Sequence, residues 1–235
     1  MIEVSNLTVR YGGVMSLDGM NLRFERGVCG LIGPNGAGKT TFFNVLSGFV
    51  RPASGSVTAF GDNLLRMTHF RRARWGVRRT FQTEQAISDL SVYDNVAMIH
   101  SPLRGTARRA DVLAAIEFVG GGISPQAKVG SLTAGQRRLV EVARTVAGKP
   151  RLILLDEPAA GLPDEETAHL TAVIKAIPEH TGALTILVDH DMSLVSAVCE
   201  TTAVLDFGRL IASGPTAQVL RDEQVMRAYL GTADV

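Results

Sequence analysis

The segment Val28-Cys29-Gly30-Leu31-Ile32 is a short apolar run that stops at a glycine. It is followed by Gly33-Pro34-Asn35-Gly36-Ala37-Gly38-Lys39-Thr40, and then by a helix pattern from Lys39 to about Leu46 that ends near Gly48. A bounded apolar run of this length reads as a buried strand. A strand, a glycine-rich turn of the form G-x-x-x-x-G-K-[ST] and a helix together restrict the chain to folds that hold a phosphate at a helix N-terminus. Glycines let successive backbone N–H groups converge on an anion. Lys39 would reach the outer phosphates of a nucleoside triphosphate, and the Thr40 hydroxyl would hold Mg²⁺. The segment Gly33, Pro34, Asn35, Gly36, Ala37, Gly38, Lys39, Thr40 and Thr41 is therefore the expected nucleotide cradle.

Further along, strand and helix patterns alternate. Glu3–Val9, Asn21–Phe24 and Ser56–Phe60 are short strand candidates. In the first of these, Val4, Asn6 and Thr8 would share one side, and Ser5, Leu7 and Val9 the other. The middle is helical: His69–Trp75, Val92–His100 with Ser91 as N-cap, Asp111–Val119 up to the Gly120-Gly121-Gly122 breaker, and Gly135–Ala147 before Gly148 and Pro150. Strands return at Leu152–Leu155, Thr185–Val188 and Ala203–Asp206, the last pairing with Leu210–Ala212. Helices at Asp164–Ile177 and Met192–Val198 separate them. Such alternation predicts an α/β fold with a mostly parallel sheet, an antiparallel β region near the N-terminus and an inserted helical lobe. The expected division of the single domain is a core of residues 1–82 and 149–235 and a helical lobe of residues 83–148.

Composition sets outer limits. With 235 residues, 46% hydrophobic and 20% charged, the chain can bury a sizeable core, and disorder is not expected. A formal net charge of +1 gives no global signal for nucleic acid. Cys29 and Cys199 lie in apolar stretches, so buried thiols in a reducing compartment are expected. Met1–Asn6 lacks the features of a signal peptide, and no apolar run approaches the roughly 18 residues of a membrane span. A soluble, cytoplasmic protein is expected.

Two other segments carry chemistry. Leu152-Ile153-Leu154-Leu155 runs into Asp156-Glu157, a strand ending in two carboxylates. Ligands collect at the C-terminal ends of such strands. Asp156 would support Mg²⁺ through water, and Glu157 would orient and polarise an attacking water. Leu132-Thr133-Ala134-Gly135-Gln136 opens a helix and offers backbone N–H groups and a hydroxyl to a second phosphate surface. The cluster Arg71, Arg72, Arg74, Arg78 and Arg79 reads either as a solvated helix face or as a surface for lipid head groups or a partner's cytoplasmic loops. Trp75, among them, is expected to pack.

Taken in order, these segments resemble the ATP-binding-cassette (ABC) ATPase subunits over nearly the full chain. The family's signature loop is usually Leu-Ser-Gly-Gly-Gln; here Thr133 keeps the hydroxyl and Ala134 replaces a glycine. The resemblance implies an ATPase using ATP and Mg²⁺, and it assigns further residues. Tyr11 matches the aromatic that stacks on adenine. Gln82, in Arg79-Thr80-Phe81-Gln82, matches the glutamine that touches Mg²⁺ and senses the membrane partner. His190, in Val188-Asp189-His190-Asp191, matches the switch histidine at the γ-phosphate. Gly161-Leu162-Pro163-Asp164 lies at the dimer-coupling loop, with Pro163 where many members have Asp. By the same resemblance, two chains pack head to tail, so that Thr133, Ala134, Gly135 and Gln136 of one reach the nucleotide held by Lys39 of the other.

Several stretches are similar to the ATPase subunits of branched-chain amino-acid importers: Tyr11-Gly12-Gly13-Val14, Gly30-Leu31-Ile32-Gly33-Pro34-Asn35, Arg79-Thr80-Phe81-Gln82, Asp156-Glu157-Pro158-Ala159-Ala160-Gly161 and Ala228-Tyr229-Leu230-Gly231. This implies permease subunits, an identical or paralogous second ATPase, an indirectly coupled solute-binding protein, and a peripheral place on the inner face of the cell membrane. The solutes implied are branched-chain or other hydrophobic amino acids, or related amides. Two other readings stand beside it. One is a cassette ATPase acting on nucleic acid or the ribosome, although no basic insertion or coiled coil is visible. The other is a nucleotide switch without meaningful hydrolysis, which the presence of Glu157 and His190 disfavours.

Overall fold

The structure, a computed structural model, describes residues 1–104 and 108–230. Gly231, the last residue of the tail segment above, lies outside them. Two sheets organise the chain. A four-stranded antiparallel sheet contains β1 (Ile2–Tyr11), β2 (Val14–Phe24), β4 (Ser54–Ala59) and β5 (Asp62–Asn63) in the order β2-β1-β4-β5. A six-stranded sheet contains β3 (Val28–Ile32), β6 (Val77–Arg79), β7 (Leu152–Asp156), β8 (Leu184–Val188), β9 (Thr201–Asp206) and β10 (Arg209–Pro215) in the order β10-β9-β3-β8-β7-β6. Its strands run parallel from β9 to β6, and only β10 is antiparallel, paired with β9 as expected.

The parallel strands read as unbroken apolar runs because both of their faces are covered. Period-2 alternation divides each strand between two cores. Cys29, Leu31, Leu152, Leu154, Ile186, Ala203 and Leu205 join the core beneath the antiparallel sheet. That core also holds Phe42, Phe43 and Leu46 of α1 (Lys39–Ser47). Ile32, Ile153, Leu155, Leu187 and Val204 face the other core. There they meet the helices α3 (Val92–Arg104), α4 (Arg109–Val119), α5 (Ala134–Val146), α6 (Asp164–Thr181) and α7 (Met192–Val198). The chain closes with α8 (Thr216–Val219) and α9 (Glu223–Leu230).

Local chemistry explains most boundaries. Gly48 ends α1 in a left-handed conformation. Ser91 Oγ accepts from the Asp94 amide at 3.0 Å, the capping role its position before α3 suggested. The N-terminal strand differs from its expected alternation. Asn6 sits at φ 48°, and the pairing of β1 with β2 shifts register between Val4 and Leu7. Val4 and Leu7 are consequently both buried, on the same side, where simple alternation separates them. A bulge of this kind inserts one residue and flips the phase. Gly55 packs against it; a Cβ there would lie 2.5 Å from the Asn6 carbonyl oxygen.

The arginine cluster also differs from both expectations. In α2 (His69–Trp75), Arg71 and Arg74 are exposed, but Arg72 is buried. Its guanidinium donates to the Val45, Leu46 and Met67 carbonyls, capping the C-terminal end of α1. Arg78 is buried as well, donating to the Ala73 and Val77 carbonyls. These cations bind main-chain carbonyls around the ends of α1 and α2. Trp75 packs as expected, with the Arg151 guanidinium 4.1 Å from its ring and its indole N–H donated to Asp62 at 2.8 Å.

Leu154 is completely buried in the central region of the parallel sheet. Leu154→Ala is expected to lower unfolding free energy by about 3 kcal/mol, the lost burial plus a residual cavity, measured by urea denaturation.

Candidate functional site

β3, β7 and β8 end at the same edge of the sheet, with Asp156 paired to Val188 across β7 and β8. The loop after each strand therefore opens into one region. From β3 comes Gly33–Gly38. Gly38 is the N-cap of α1 at φ 107°, and no side chain caps that helix, so its first amides point into the loop. A Cβ on Gly38 would lie 2.6 Å from the Ser16 carbonyl oxygen, and one on Gly33 would lie 2.1 Å from that of Leu205. The loop can take its path only with glycine at these two positions. Lys39 threads back through it. Its Nζ donates to the Gly33 carbonyl at 2.6 Å and to the Pro34 carbonyl at 2.9 Å. Burial pushes its ammonium pKa down, against the raising influence of Glu157 and Asp156.

From β7 come Asp156 and Glu157. Asp156 is buried, and its Oδ2 accepts from Arg79 Nη2 at 2.8 Å. Its amide donates to Thr80 Oγ1 at 3.0 Å. Burial raises its carboxyl above the usual range, while the hydrogen bond and charge of Arg79 act in the opposite direction. Oδ1 has no hydrogen-bond partner although it is buried. A buried carboxylate oxygen without a donor suits a cation or its water shell. Thr40, exposed at the start of α1, belongs to the same end of the sheet. The pair thus has the donor chemistry that a hard divalent cation takes.

Glu157 adopts φ 48°, a left-handed backbone unusual for this residue, and its amide donates to the Val188 carbonyl at 2.8 Å. Its side chain gathers the other expected residues. Gln82 Nε2 donates to Glu157 Oε1 at 3.0 Å, and His190 Nε2 lies 3.0 Å from the same oxygen. The second contact requires the ring proton on Nε2. Asp189, behind His190, is buried; burial raises its carboxyl, and Oδ1 accepts from the Asp191 amide. Lys39, Gln82, the Asp156-Glu157 pair and His190, from four separate segments, therefore lie around one edge. Strain concentrated at Glu157 is of the kind found where a side chain must be aimed.

Tyr11 ends β1 and is 48% exposed, a free ring face at the rim of the antiparallel sheet. Thr133, Ala134, Gly135 and Gln136 are not joined to this cluster by any contact among the described residues. They form the N-terminus of α5. Thr133 Oγ1 accepts from the Gln136 amide and the Gln136 side chain accepts from the Thr133 amide, a reciprocal cap.

The contacts of three residues, Arg79, Glu166 and Tyr229, escaped the sequence reading. Arg79 contacts Asp156, donates to Asn44 Oδ1 at 2.7 Å and lies over the Phe43 and Phe81 rings. Glu166 contacts the Thr133–Gln136 turn. The Tyr229 phenol is pushed up to about 12 by burial, against a hydrogen bond with the Gly33 backbone. All three are long-range contacts, for which spacing carries no signal.

The comparisons with known proteins agree with this geometry. Residues 17–160 match the ABC transporter family, and residues 209–235 match the branched-chain amino acid ATP-binding cassette transporter family. The chain is 35% identical to the high-affinity branched-chain amino acid transport ATP-binding protein BraF of Pseudomonas aeruginosa, over 99% of this chain and 98% of that one. It is 33% identical to LivG, of the same description, from Escherichia coli, with the same coverage. Among solved structures, the ADP conformation of MJ1267, an ATP-binding cassette of an ABC transporter, superposes with a TM-score of 0.86 at 24% identity, covering 98% of each chain. The dimeric post-hydrolysis cassette MJ0796, bound to ADP and Pi, superposes with a TM-score of 0.79 at 22% identity, covering 92% of this chain and 99% of that one. A phosphate loop and a carboxylate-tipped strand that meet Gln82 and His190 at one sheet edge, within a family match spanning well over half the chain, place it plainly: the chain belongs to the ATP-binding cassette family of ABC transporters.

Proposed function

We propose that this protein is the ATP-hydrolysing subunit of an importer for branched-chain or other hydrophobic amino acids. The observation that carries the chemistry is the convergence of Gln82 and His190 on one oxygen of Glu157, beside the Lys39 loop. The relatives' names carry the solute class, and the match of residues 209–235 to the branched-chain family supports it. A formal charge of +1 and the absence of a basic insertion disfavour a nucleic-acid or ribosome partner.

In this reading the nucleotide lies over the first turn of α1. The amides of Gly36–Thr41 and the Lys39 ammonium surround its phosphates, and Tyr11 stacks on the base. Thr40, Gln82 and Asp156 would hold Mg²⁺, which neutralises phosphate charge when bound. An arriving phosphate gives the Lys39 ammonium a better partner than two carbonyls, and favours its charged form. Glu157 accepts a proton from the attacking water, and Gln82 and His190 fix the carboxylate's direction. His190 can then turn its Nε2–H toward the γ-phosphate. Catalysis rests on positioning and charge stabilisation.

Hydrolysis needs a second chain, identical or paralogous, packed head to tail so that its Thr133–Gln136 turn faces the nucleotide. The turn's separation from the Lys39 cluster within one chain supports this, as does the dimeric form of the related cassette MJ0796. The core of residues 1–82 and 149–235 would carry the nucleotide, and the helical lobe of residues 83–148 the turn. Next to Gln82, a cleft of about 350 Å³ is lined by Phe49, Phe70, Phe81, Ile99 and Arg144. With Phe49 60% exposed and Phe70 48% exposed, it offers an apolar seat for a permease's cytoplasmic loop. Among the described residues no helix is long and apolar enough to cross a membrane, so the transport path belongs to that partner, and the cassette sits against the membrane's inner face. A solute-binding protein would deliver the amino acid to the permease.

Glu157→Gln is expected to bind ATP and dimerise while losing at least about 100-fold in turnover, the usual worth of a positioned proton acceptor. Phosphate release in the steady state checks this, and wild-type turnover would sink the assignment. Lys39→Ala is expected to lose nucleotide affinity, read by equilibrium binding of a fluorescent ATP analogue. Unchanged binding would count against the loop.

A further inference from the structure

The turn that opens α5 already holds an anion, and it comes from the same chain. Glu166 lies in the first turn of α6, just after the Gly161–Asp164 loop. Its Oε1 accepts the Thr133 hydroxyl proton at 2.9 Å, and its Oε2 accepts the Gly135 amide at 3.0 Å. The carboxylate covers Gly135 so closely that a Cβ there would lie 2.5 Å from Glu166 Cδ. Gly135 is buried as a result, whereas Thr133 and Ala134 just before it remain exposed. The neighbouring Asp164 and Glu165 are exposed and make no such contact.

Each of these donors has one proton. The Thr133 hydroxyl and the Gly135 amide cannot give theirs fully to a phosphate while Glu166 keeps them. A carboxylate and a triphosphate at one helix N-terminus also repel each other. We propose that Glu166 is a placeholder for the partner's γ-phosphate. It holds the Thr133–Gly135 donors in a receptive geometry in the single chain, and it must be displaced before two chains close on ATP. The inference rests on the head-to-tail reading above and adds a threshold to it. Because Glu166 shares the first turn of α6 with Asp164, its release removes a tether between the α5 terminus and the start of α6.

The test uses the Glu157→Gln protein, in which a closed dimer accumulates, and follows dimerisation by analytical ultracentrifugation over an ATP titration. Glu166→Gln, nearly isosteric, and Glu166→Ala should each shift the half-dimerising ATP concentration down by roughly tenfold, since a like-charge contact is removed. Glu165→Gln makes the same change in net charge without touching Thr133 and should leave the midpoint where it was. ATP affinity of the monomer, read at low protein concentration, should not change in any of them. The difference between Glu166→Gln and its parent should shrink as salt is raised. An unchanged or higher midpoint in Glu166→Gln, or an equal shift in Glu165→Gln, overturns the placeholder role while leaving the head-to-tail dimer standing. Failure of the Glu157→Gln protein itself to dimerise with ATP overturns the dimer reading, and this proposal with it.

Discussion

Everything at the site depends on parallel strands that finish at one edge. Because β3, β7 and β8 are hydrogen-bonded neighbours running in the same direction, whatever follows each of them is delivered to the same few ångströms of space. The register places Asp156 opposite Val188, so the two carboxylates after β7 and the Asp189-His190 pair after β8 arrive side by side. The core enforces that register. Shifting any strand by one residue would exchange its two faces between the two cores, and both are closely packed. The site's geometry is therefore held by apolar contacts some distance from any charge.

Within that frame, cations decide how closely the acids can approach. Asp156, Glu157 and Asp189 share the edge, and burial raises the carboxyls of Asp156 and Asp189. Arg79 offsets this for Asp156, and it is itself clamped between Phe43 and Phe81. Burial lowers the pKa of Lys39, and the two β7 carboxylates are near enough to oppose that shift. The arrangement stores strain, in the left-handed backbone of Glu157 and in the unsatisfied Asp156 oxygen. On the function proposed above, a bound nucleotide and its cation would complete these groups. A free-standing fold would have no use for them in this form.

The other half of the chemistry is built on a helix terminus, and there the same physics yields the opposite outcome. The Thr133–Gln136 turn is capped reciprocally, and Glu166 covers it. One surface of the molecule thus waits for an anion, and the other has supplied its own. The asymmetry fits a site that works only when two chains meet.

The sequence by itself determined most of the local elements and singled out the candidate site residues. The glycines of Gly33–Gly38, the apolar run into Asp156-Glu157 and the cap at Ser91 are short-range signals, because each depends on backbone sterics within a few residues. The strands and helices expected from the sequence recur in the structure, apart from their ends and the phase of β1, while β5, β6, α8 and α9 were not foreseen. That phase failed at Asn6, where a bulge fitted to its neighbours overrode simple alternation. Only the tertiary structure decided which charges meet. Arg72 turned out to be an α1 cap, Arg79 a partner of Asp156, and Glu166 the occupant of the α5 terminus. Such pairings join residues from tens of positions apart, and they are chosen by the packing of whole elements. Residue spacing along the chain cannot encode that packing.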